Sequence, residues 1–239
     1  MKRVKPDQFH FKKFSVTHKR SSMKVGTDGV LLGTWVNATN TCSILDIGTG
    51  TGVIALMLAQ RTSSSVHVDA VELNPETCLD AQQNFAQSPW PDRLHLYTQA
   101  IQTFAPEKTY DLVVSNPPYF INSYKPPDAH RITARHTEQL TFEELLSAVL
   151  HMLSARGRFA VVLPVTEGKA FEKLALEKTL YCIRKWGFRT RNNKPVERLL
   201  MEFSRENQTC ETGEILLYES GENWSGEYRN LMKDFYLKA

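Results

Sequence analysis

The stretch that most restricts the possible folds is Ser43-Ile44-Leu45-Asp46-Ile47-Gly48-Thr49-Gly50-Thr51-Gly52, followed by Val53-Ile54-Ala55-Leu56-Met57-Leu58-Ala59-Gln60. A short apolar run of this kind reads as a strand buried on both faces, the habit of a parallel sheet. The glycines turn the chain at the strand's carboxyl end and let backbone approach a ligand closely. A helix then continues. Strand, tight turn and helix commit the chain to the α/β class. The spacing is Gly-x-Gly-x-Gly, not the Gly-x-Gly-x-x-Gly of pyrophosphate binders, and no Gly-Lys-Ser/Thr follows, which argues against a phosphate-cradling ATP loop.

The same alternation continues. Val66 to Glu72 reads as a second strand ending in an acid, 24 residues after Gly48. A carboxylate there can accept hydrogen bonds from both ribose hydroxyls of a nucleoside; the alternative is a surface acid. Asn74-Pro75-Glu76 opens a helix to about Gln87, Leu94 to Tyr97 is a short third strand ending near Gln99-Ala100-Ile101, and residues 111–115 form a fourth. Thr141 caps a helix reaching Leu153. Gly157–Leu163, Leu180–Phe188 and Arg198–Ser204 are further strands, with a helix from Glu167 to Lys178. Ile215 to Tyr218 suggests a late edge strand and Tyr228 to Tyr236 an amphipathic closing helix. Upstream, residues 8–17 alternate as a hairpin around Lys12-Lys13. Phe9, Phe11 and Phe14 lie among bases, but aromatics on one strand face belong more readily to a core. Thr27 or Asp28 is expected to cap an apolar helix to about Val36. The expectation is one domain: a basic extension over 1–40, a catalytic core over 41–205, and a C-terminal strand and helix over 206–239.

The fourth strand runs into Ser115-Asn116-Pro117-Pro118-Tyr119-Phe120. Two prolines end the ladder, and Pro117 keeps Asn116 out of helical dihedrals. An Asn is therefore held on a rigid turn at the edge where open α/β sheets bind ligands. The Asn116 side-chain oxygen and the Pro117 carbonyl are both acceptors, suited to the two hydrogens of an exocyclic NH₂ group. Such an amine is a poor nucleophile, because its lone pair is delocalised into the ring. Fixed acceptors favour its charge-developing form, and Tyr119 can stack on the planar group that carries it. The alternative is a structural turn with Tyr119 in the core.

Composition narrows the rest. No apolar run reaches membrane-spanning length, and Met-Lys-Arg-Val-Lys-Pro has no apolar signal region. Cys42, Cys78, Cys182 and Cys210 form no metal pattern and the seven histidines no close pair, so no metal is expected. Reduced cysteines fit a cytoplasmic location. The net charge of +3 hides an asymmetry: residues 1–24 carry +7 and the remainder −4. A basic arm on an acidic body suggests a polyanion partner, with Lys12, Lys13, Lys19 and Arg20 as contacts. A second cationic patch comprises Arg184, Lys185, Arg189, Arg191, Lys194 and Arg198. Its charges have no evident carboxylate partners nearby in sequence, so phosphates are the expected counter-ions. The polar, Pro-rich segment from Ile121 to Gln139 reads as a substrate loop. Arg131 and Arg135 are its phosphate candidates. His136 is a tempting general base, although an amine nitrogen that has gained positive charge gives up its proton without one.

This order of elements resembles the class I S-adenosylmethionine-dependent methyltransferases over roughly residues 24–205. Asn-Pro-Pro-Tyr resembles the amino-methyltransferase motif of that class. Lys24-Val25-Gly26-Thr27-Asp28-Gly29-Val30-Leu31-Leu32-Gly33, the Ser115–Phe120 motif and Ala134-Arg135-His136 narrow the likeness to the bacterial valine-tRNA adenine-N6 methyltransferase family. The resemblance implies a Rossmann-like α/β fold: a seven-stranded, mostly parallel sheet with one antiparallel strand and helices on both faces. It implies S-adenosylmethionine as cofactor, tRNA as partner and methylation of the adenosine just 3′ of the anticodon; a monomer is expected. Lys24, Thr27 and Asp28 would border the cofactor's methionine part, and Asp46, Gly48, Thr49, Gly50 and Gly52 its carboxylate side. Glu72 and Leu73 would meet the ribose end. Where the class usually places an acid facing the cofactor's adenine, this chain has Gln99-Ala100; a Gln amide oxygen can still accept that bond. Asn116, Pro117 and Tyr119 would carry the chemistry. Within the class, the rivals are a protein-glutamine methyltransferase acting on release factors and an rRNA or DNA amino-methyltransferase. Outside it, the rival is a non-catalytic RNA-binding module. About 40 residues, rich in Lys and Arg, precede Ile44, where the release-factor enzymes normally carry a helical domain, and this favours RNA.

Overall fold

A computed structural model describes residues 7–21, 23–118 and 140–238. The N-terminal hairpin pairs β1 (Gln8–His10) with β2 (Ser15–Thr17). Helix α1 (Thr27–Trp35) follows, then the alternating core: β3 (Ser43–Ile47), α2 (Val53–Arg61), β4 (His67–Glu72), α3 (Pro75–Ala86), β5 (Leu94–Thr98) and β6 (Tyr110–Ser115). Beyond residue 139 come α4 (Phe142–Met152), β7 (Leu153–Pro164), α5 (Val165–Glu177), β8 (Tyr181–Arg191) and β9 (Arg198–Ser204). The chain closes with β10 (Glu211–Ser220), β11 (Asn223–Trp224) and α6 (Gly226–Met232).

The main sheet has the order β11-β10-β8-β9-β7-β6-β3-β4-β5. Its core strands are parallel except β9, which runs antiparallel to both β7 and β8. The expected architecture is therefore present, with one correction. The sheet has nine strands rather than seven, because β10 adds in parallel beside β8 and β11 folds back on it. Ile215–Tyr218, expected as an edge strand, is the middle of a ten-residue strand inside the sheet.

Period-two alternation sorts the core onto two faces. Ile44, Leu112, Val114, Ala160 and Val162 point toward α1, α2 and α6; Leu45, Ile47, Val113, Phe159 and Val161 point toward α4 and α5. Burial on both faces explains why these strands read as continuous apolar runs. Local signals hold at two helix starts. Asn74 accepts from the Thr77 N–H at 3.0 Å ahead of Pro75, and Thr141 and Glu144 form a reciprocal capping box. They fail at α1, where Gly26 rather than Thr27 or Asp28 is the N-cap and no side chain caps the turn.

The hairpin is bound tightly to the body. Phe11 stacks on Phe14 at 4.6 Å and on Tyr236 at 5.9 Å, and Phe14 meets Trp90 edge-on. The Asn84 side chain of α3 accepts from the Thr17 N–H at 2.8 Å and donates to the carbonyls of Thr17 and Thr51, each at 2.9 Å. One buried amide therefore joins the hairpin to the glycine loop.

Candidate active site at the carboxyl edge of the sheet

The glycine loop leaves β3 with Gly48, Gly50 and Gly52 all at positive φ. A Cβ built on Gly50 meets no protein atom within 4 Å, whereas one on Gly52 overlaps the buried Phe85 ring. Gly52 is thus required by packing, while Gly50 faces open space. Inside the loop, Asp46 is fully buried. Its Oδ2 accepts from the Thr49 hydroxyl at 2.6 Å and from the Ala55 N–H at 3.2 Å; its Oδ1 has no partner among the described residues. Burial pushes this carboxyl up to about 7, with the Thr49 and Ala55 hydrogen bonds opposing and the charge of Glu72 adding.

Glu72, at the end of β4, lies across from the loop. Its carboxylate accepts the Gly50 N–H at 3.0 Å and the Asn74 N–H at 2.9 Å. Leu73 beside it is 50 % exposed. The Gln99 N–H donates to the Glu72 carbonyl at 3.0 Å, which brings the end of β5 and Ala100 to the same edge. These residues, separated by up to half a hundred positions, line one cleft rim.

Asn116 follows β6 at this edge, two strands from Glu72. Ser115 anchors the strand end through its hydroxyl, which donates to the Ile47 carbonyl at 2.9 Å. The Asn116 Oδ1 is buried and has no hydrogen-bond partner among the described residues. A desolvated, unpaired acceptor is costly unless something else supplies the donor. Pro117 is buried beside it and Pro118 exposed. Asn116 Nδ2 lies 3.8 Å from the Cβ position of Gly29, so the first turn of α1 forms a wall of the site. Tyr119, Arg131, Arg135 and His136 lie outside the described residues.

The remaining expected residues are less concentrated. Thr27 opens α1 and is exposed, and Lys24 lies 3.9 Å from Asp7. Asp28 is engaged by Arg198, whose Nε donates to Oδ2 at 2.8 Å. Lys13 and Lys19 are exposed on the hairpin; the Lys12 ammonium donates to the Lys233 carbonyl. Arg20 pairs with the buried Asp80 at 3.0 Å.

The second cationic patch requires a correction. Its charges do have carboxylate partners, supplied by elements remote in sequence. Arg184 lies 3.8 Å from both Glu202 and Glu211, Lys185 pairs with Glu172 at 2.8 Å, and Arg189 pairs with Glu214. Arg191 donates to the Gly221 carbonyl and sits over the Tyr218 ring at 5.0 Å. Two of the four carboxylates, Glu211 and Glu214, come from β10, the strand that the seven-stranded expectation did not place beside β8. Lys194 remains exposed at the turn between β8 and β9.

Asn84 and Asp80 escape the sequence reading, and Arg198 reads there as part of a phosphate-binding patch rather than as the partner of Asp28. The first two had a legible signal, since they fall on the same helical stripe as Thr77, Ala81 and Phe85, so polar groups sit on the buried face of α3. Arg198 had none, because its partner is 170 positions away. His67 and His95, distant in sequence, stack across β4 and β5 with ring nitrogens 3.4 Å apart. No group of three or more His, Cys, Asp or Glu placed to hold a metal occurs among the described residues. No described helix is long and apolar enough to cross a membrane.

Comparison with known proteins agrees with this arrangement. The methyltransferase small domain family matches residues 21–175. A tRNA1(Val) (adenine(37)-N6)-methyltransferase of Photorhabdus laumondii is 42 % identical over 98 % of this chain and 97 % of its own. The protein of the same description from Histophilus somni is 40 % identical over 98 % and 99 %. Among solved structures, a predicted O-methyltransferase from Agrobacterium tumefaciens superposes with a TM-score of 0.69 at 15 % identity, covering 87 % of this chain and 96 % of that one. A glycopeptide N-methyltransferase complexed with S-adenosylmethionine gives a TM-score of 0.55 at 14 % identity, covering 76 % and 99 %. At such identities the structural likeness speaks for the fold alone.

Proposed function

The chain belongs to the methyltransferase small domain family and to the family of tRNA1(Val) (adenine(37)-N6)-methyltransferases, and on that premise we propose that it methylates the exocyclic N6 of an adenosine in tRNA, the one immediately 3′ of the anticodon in valine tRNA, using S-adenosylmethionine. The observation that carries the reading is the buried, unpartnered Asn116 Oδ1 at the end of β6. An acceptor with no donor among the described residues fits a substrate that brings one, and an adenine N6 amine brings two.

The residues present fit the cofactor. Glu72 spends two acceptor positions on the Gly50 and Asn74 amides. A carboxylate offers about four, which leaves capacity for both hydroxyls of a ribose. The open space over Gly50 lets an amino-acid tail lie against backbone. Glu72 and Leu73 would hold the nucleoside, and the loop from Asp46 to Gly52 the methionine end. When bound, S-adenosylmethionine supplies a methyl group already activated on a sulfonium. The chain's own work is then alignment and electrostatics. Asn116 Oδ1 and the Pro117 carbonyl accept the amine hydrogens, orient the nitrogen lone pair and stabilise the positive charge that develops there. The nitrogen becomes acidic once alkylated, so no general base is needed. Tyr119 is proposed to stack on the flipped adenine, whose unstacking costs a few kcal/mol. Lys13 and Lys19 on the hairpin, with Arg131 and Arg135, are proposed to meet phosphates.

Tritium transfer from labelled cofactor tests the reading with total tRNA and release factor offered side by side. Label in tRNA, released as N6-methyladenosine on nucleoside analysis, is the expected result. Label in release factor alone would overturn it.

A further inference from the structure

We propose that Arg198 is a positioning residue for methyl transfer, holding the first turn of α1 against Asn116 through its ion pair with Asp28. This rests on the assignment of Asn116 to the amine-accepting site.

Arg198 is the first residue of β9, and its register opposite Pro164 and Phe188 places it at the carboxyl edge of the sheet, because β9 runs against its neighbours. From there its Nε donates to Asp28 Oδ2 at 2.8 Å and its Nη1 to the Glu197 carbonyl at 3.0 Å. The two side chains are only 29 % and 18 % exposed, so water screens the pair less than it would a surface bridge. The turn that it holds has no side-chain cap, and its N-cap is Gly26, which has no side chain to accept from the turn's amides. The next residue after Asp28 is the buried Gly29. Its Cβ position lies 3.4 Å from Val53 Cγ1 at the start of α2 and 3.8 Å from Asn116 Nδ2. Arg198 therefore fixes a helix turn wedged between the glycine-loop helix and the amide whose oxygen must face the substrate. Releasing the turn would let the Asn116 amide swing while the hydrogen bonds of Glu72 to the Gly50 and Asn74 amides, which do not involve α1, stay in place.

Three readouts test this: single-turnover methyl transfer, titration with S-adenosylhomocysteine, and the side-chain amide signal of Asn116 in protein labelled with ¹⁵N-asparagine. R198M should slow transfer about 10- to 100-fold, the scale of a small misplacement of reacting groups. Its affinity for S-adenosylhomocysteine should stay within threefold of wild type, and the Asn116 amide signal should shift or broaden. R198K, which keeps the charge but not the fork, should recover part of the rate. D28N, nearly isosteric, should reproduce the slowed transfer and the altered amide signal of R198M, and the double variant should be no slower than either single one, since both remove the same ion pair. An unmoved Asn116 signal in R198M and D28N, or rate losses that multiply in the double variant, would overturn the proposal. Failure of the wild type to methylate tRNA would instead strike the functional reading, and the amide signal would still judge the tie.

Discussion

Substituting alanine at Gly50 and at Gly52 should separate ligand binding from packing within three residues of one loop. Both positions have left-handed backbone, φ +58° and +83°, which costs an alanine roughly 1–2 kcal/mol. At Gly50 nothing else is lost, since the new methyl meets no protein atom within 4 Å. At Gly52 the methyl enters the Phe85 ring, whose Cζ would lie 3.0 Å away and which is only 4 % exposed. Overpacking of that kind adds about 1–3 kcal/mol, for a total of roughly 2–5 kcal/mol. For a chain of this length, 1 kcal/mol shifts Tm by about 2–4 °C. Gly50→Ala should therefore lower Tm by about 2–8 °C, and Gly52→Ala by about 4–20 °C. Affinity should show the opposite contrast. The Gly50 methyl projects into the space assigned to the cofactor. Loss of backbone hydrogen bonds to the cofactor there would cost about 1–3 kcal/mol, or roughly 5- to 150-fold in Kd. Calorimetric titration with S-adenosylhomocysteine, beside scanning calorimetry, provides both numbers. A folded Gly50→Ala protein with wild-type affinity would refute the placement of the cofactor against the loop.

Asn116→Ala should leave S-adenosylhomocysteine affinity nearly unchanged while lowering the single-turnover rate on tRNA by about 10²–10³, the typical loss for one oriented polar group; undiminished activity would rule out the acceptor role. Asp46 predicts a pH effect on stability. Burial raises its carboxyl from 3.8 to about 7, so the folded state holds the proton more tightly than the unfolded chain. The stability that this contributes is complete below 3.8 and is lost as pH rises through about 7. The Tm difference between wild type and Asp46→Asn should therefore shift against the wild type across that interval and then level off; a difference independent of pH would contradict it. Phe11→Ala should destabilise the whole domain by about 3–5 kcal/mol in urea denaturation, because Phe11 is 4 % exposed between Phe14 and Tyr236. A loss below about 1 kcal/mol would mean that the hairpin is an accessory.

The parallel order of the central strands, the glycine turn, the acid at the end of β4 and the Asn-Pro-Pro turn were all legible in the sequence. Each is written by local chemistry: continuous apolar runs where both faces are buried, glycine where φ is positive, proline where a ladder must stop. The start of α3 and the capping box of α4 were legible for the same reason, since the residues that make each cap lie within four positions of one another. Where several local solutions compete, tertiary contacts decided. Asp28 could have capped α1, but Arg198 claims its carboxylate, leaving Gly26 at the cap.

What only the tertiary structure decided concerns charge and company. The hairpin of the basic N-terminal segment and the core placement of Phe11 and Phe14 were legible, but the segment's charge was not: Arg20, read as a phosphate contact, is bound to Asp80. The cluster from Arg184 to Arg198 reads as uncompensated, yet β10 brings Glu211 and Glu214 alongside and α5 brings Glu172. A Coulomb partner is chosen by distance in space, falling off as 1/r, and spacing along the chain carries no information about it once strands from remote segments pair. The backbone's local preferences are short-ranged and therefore written in neighbouring residues. The neutralisation of charge and the placing of Asn116 against Gly29 depend on which strands lie side by side, and that is settled only when the whole sheet closes its core.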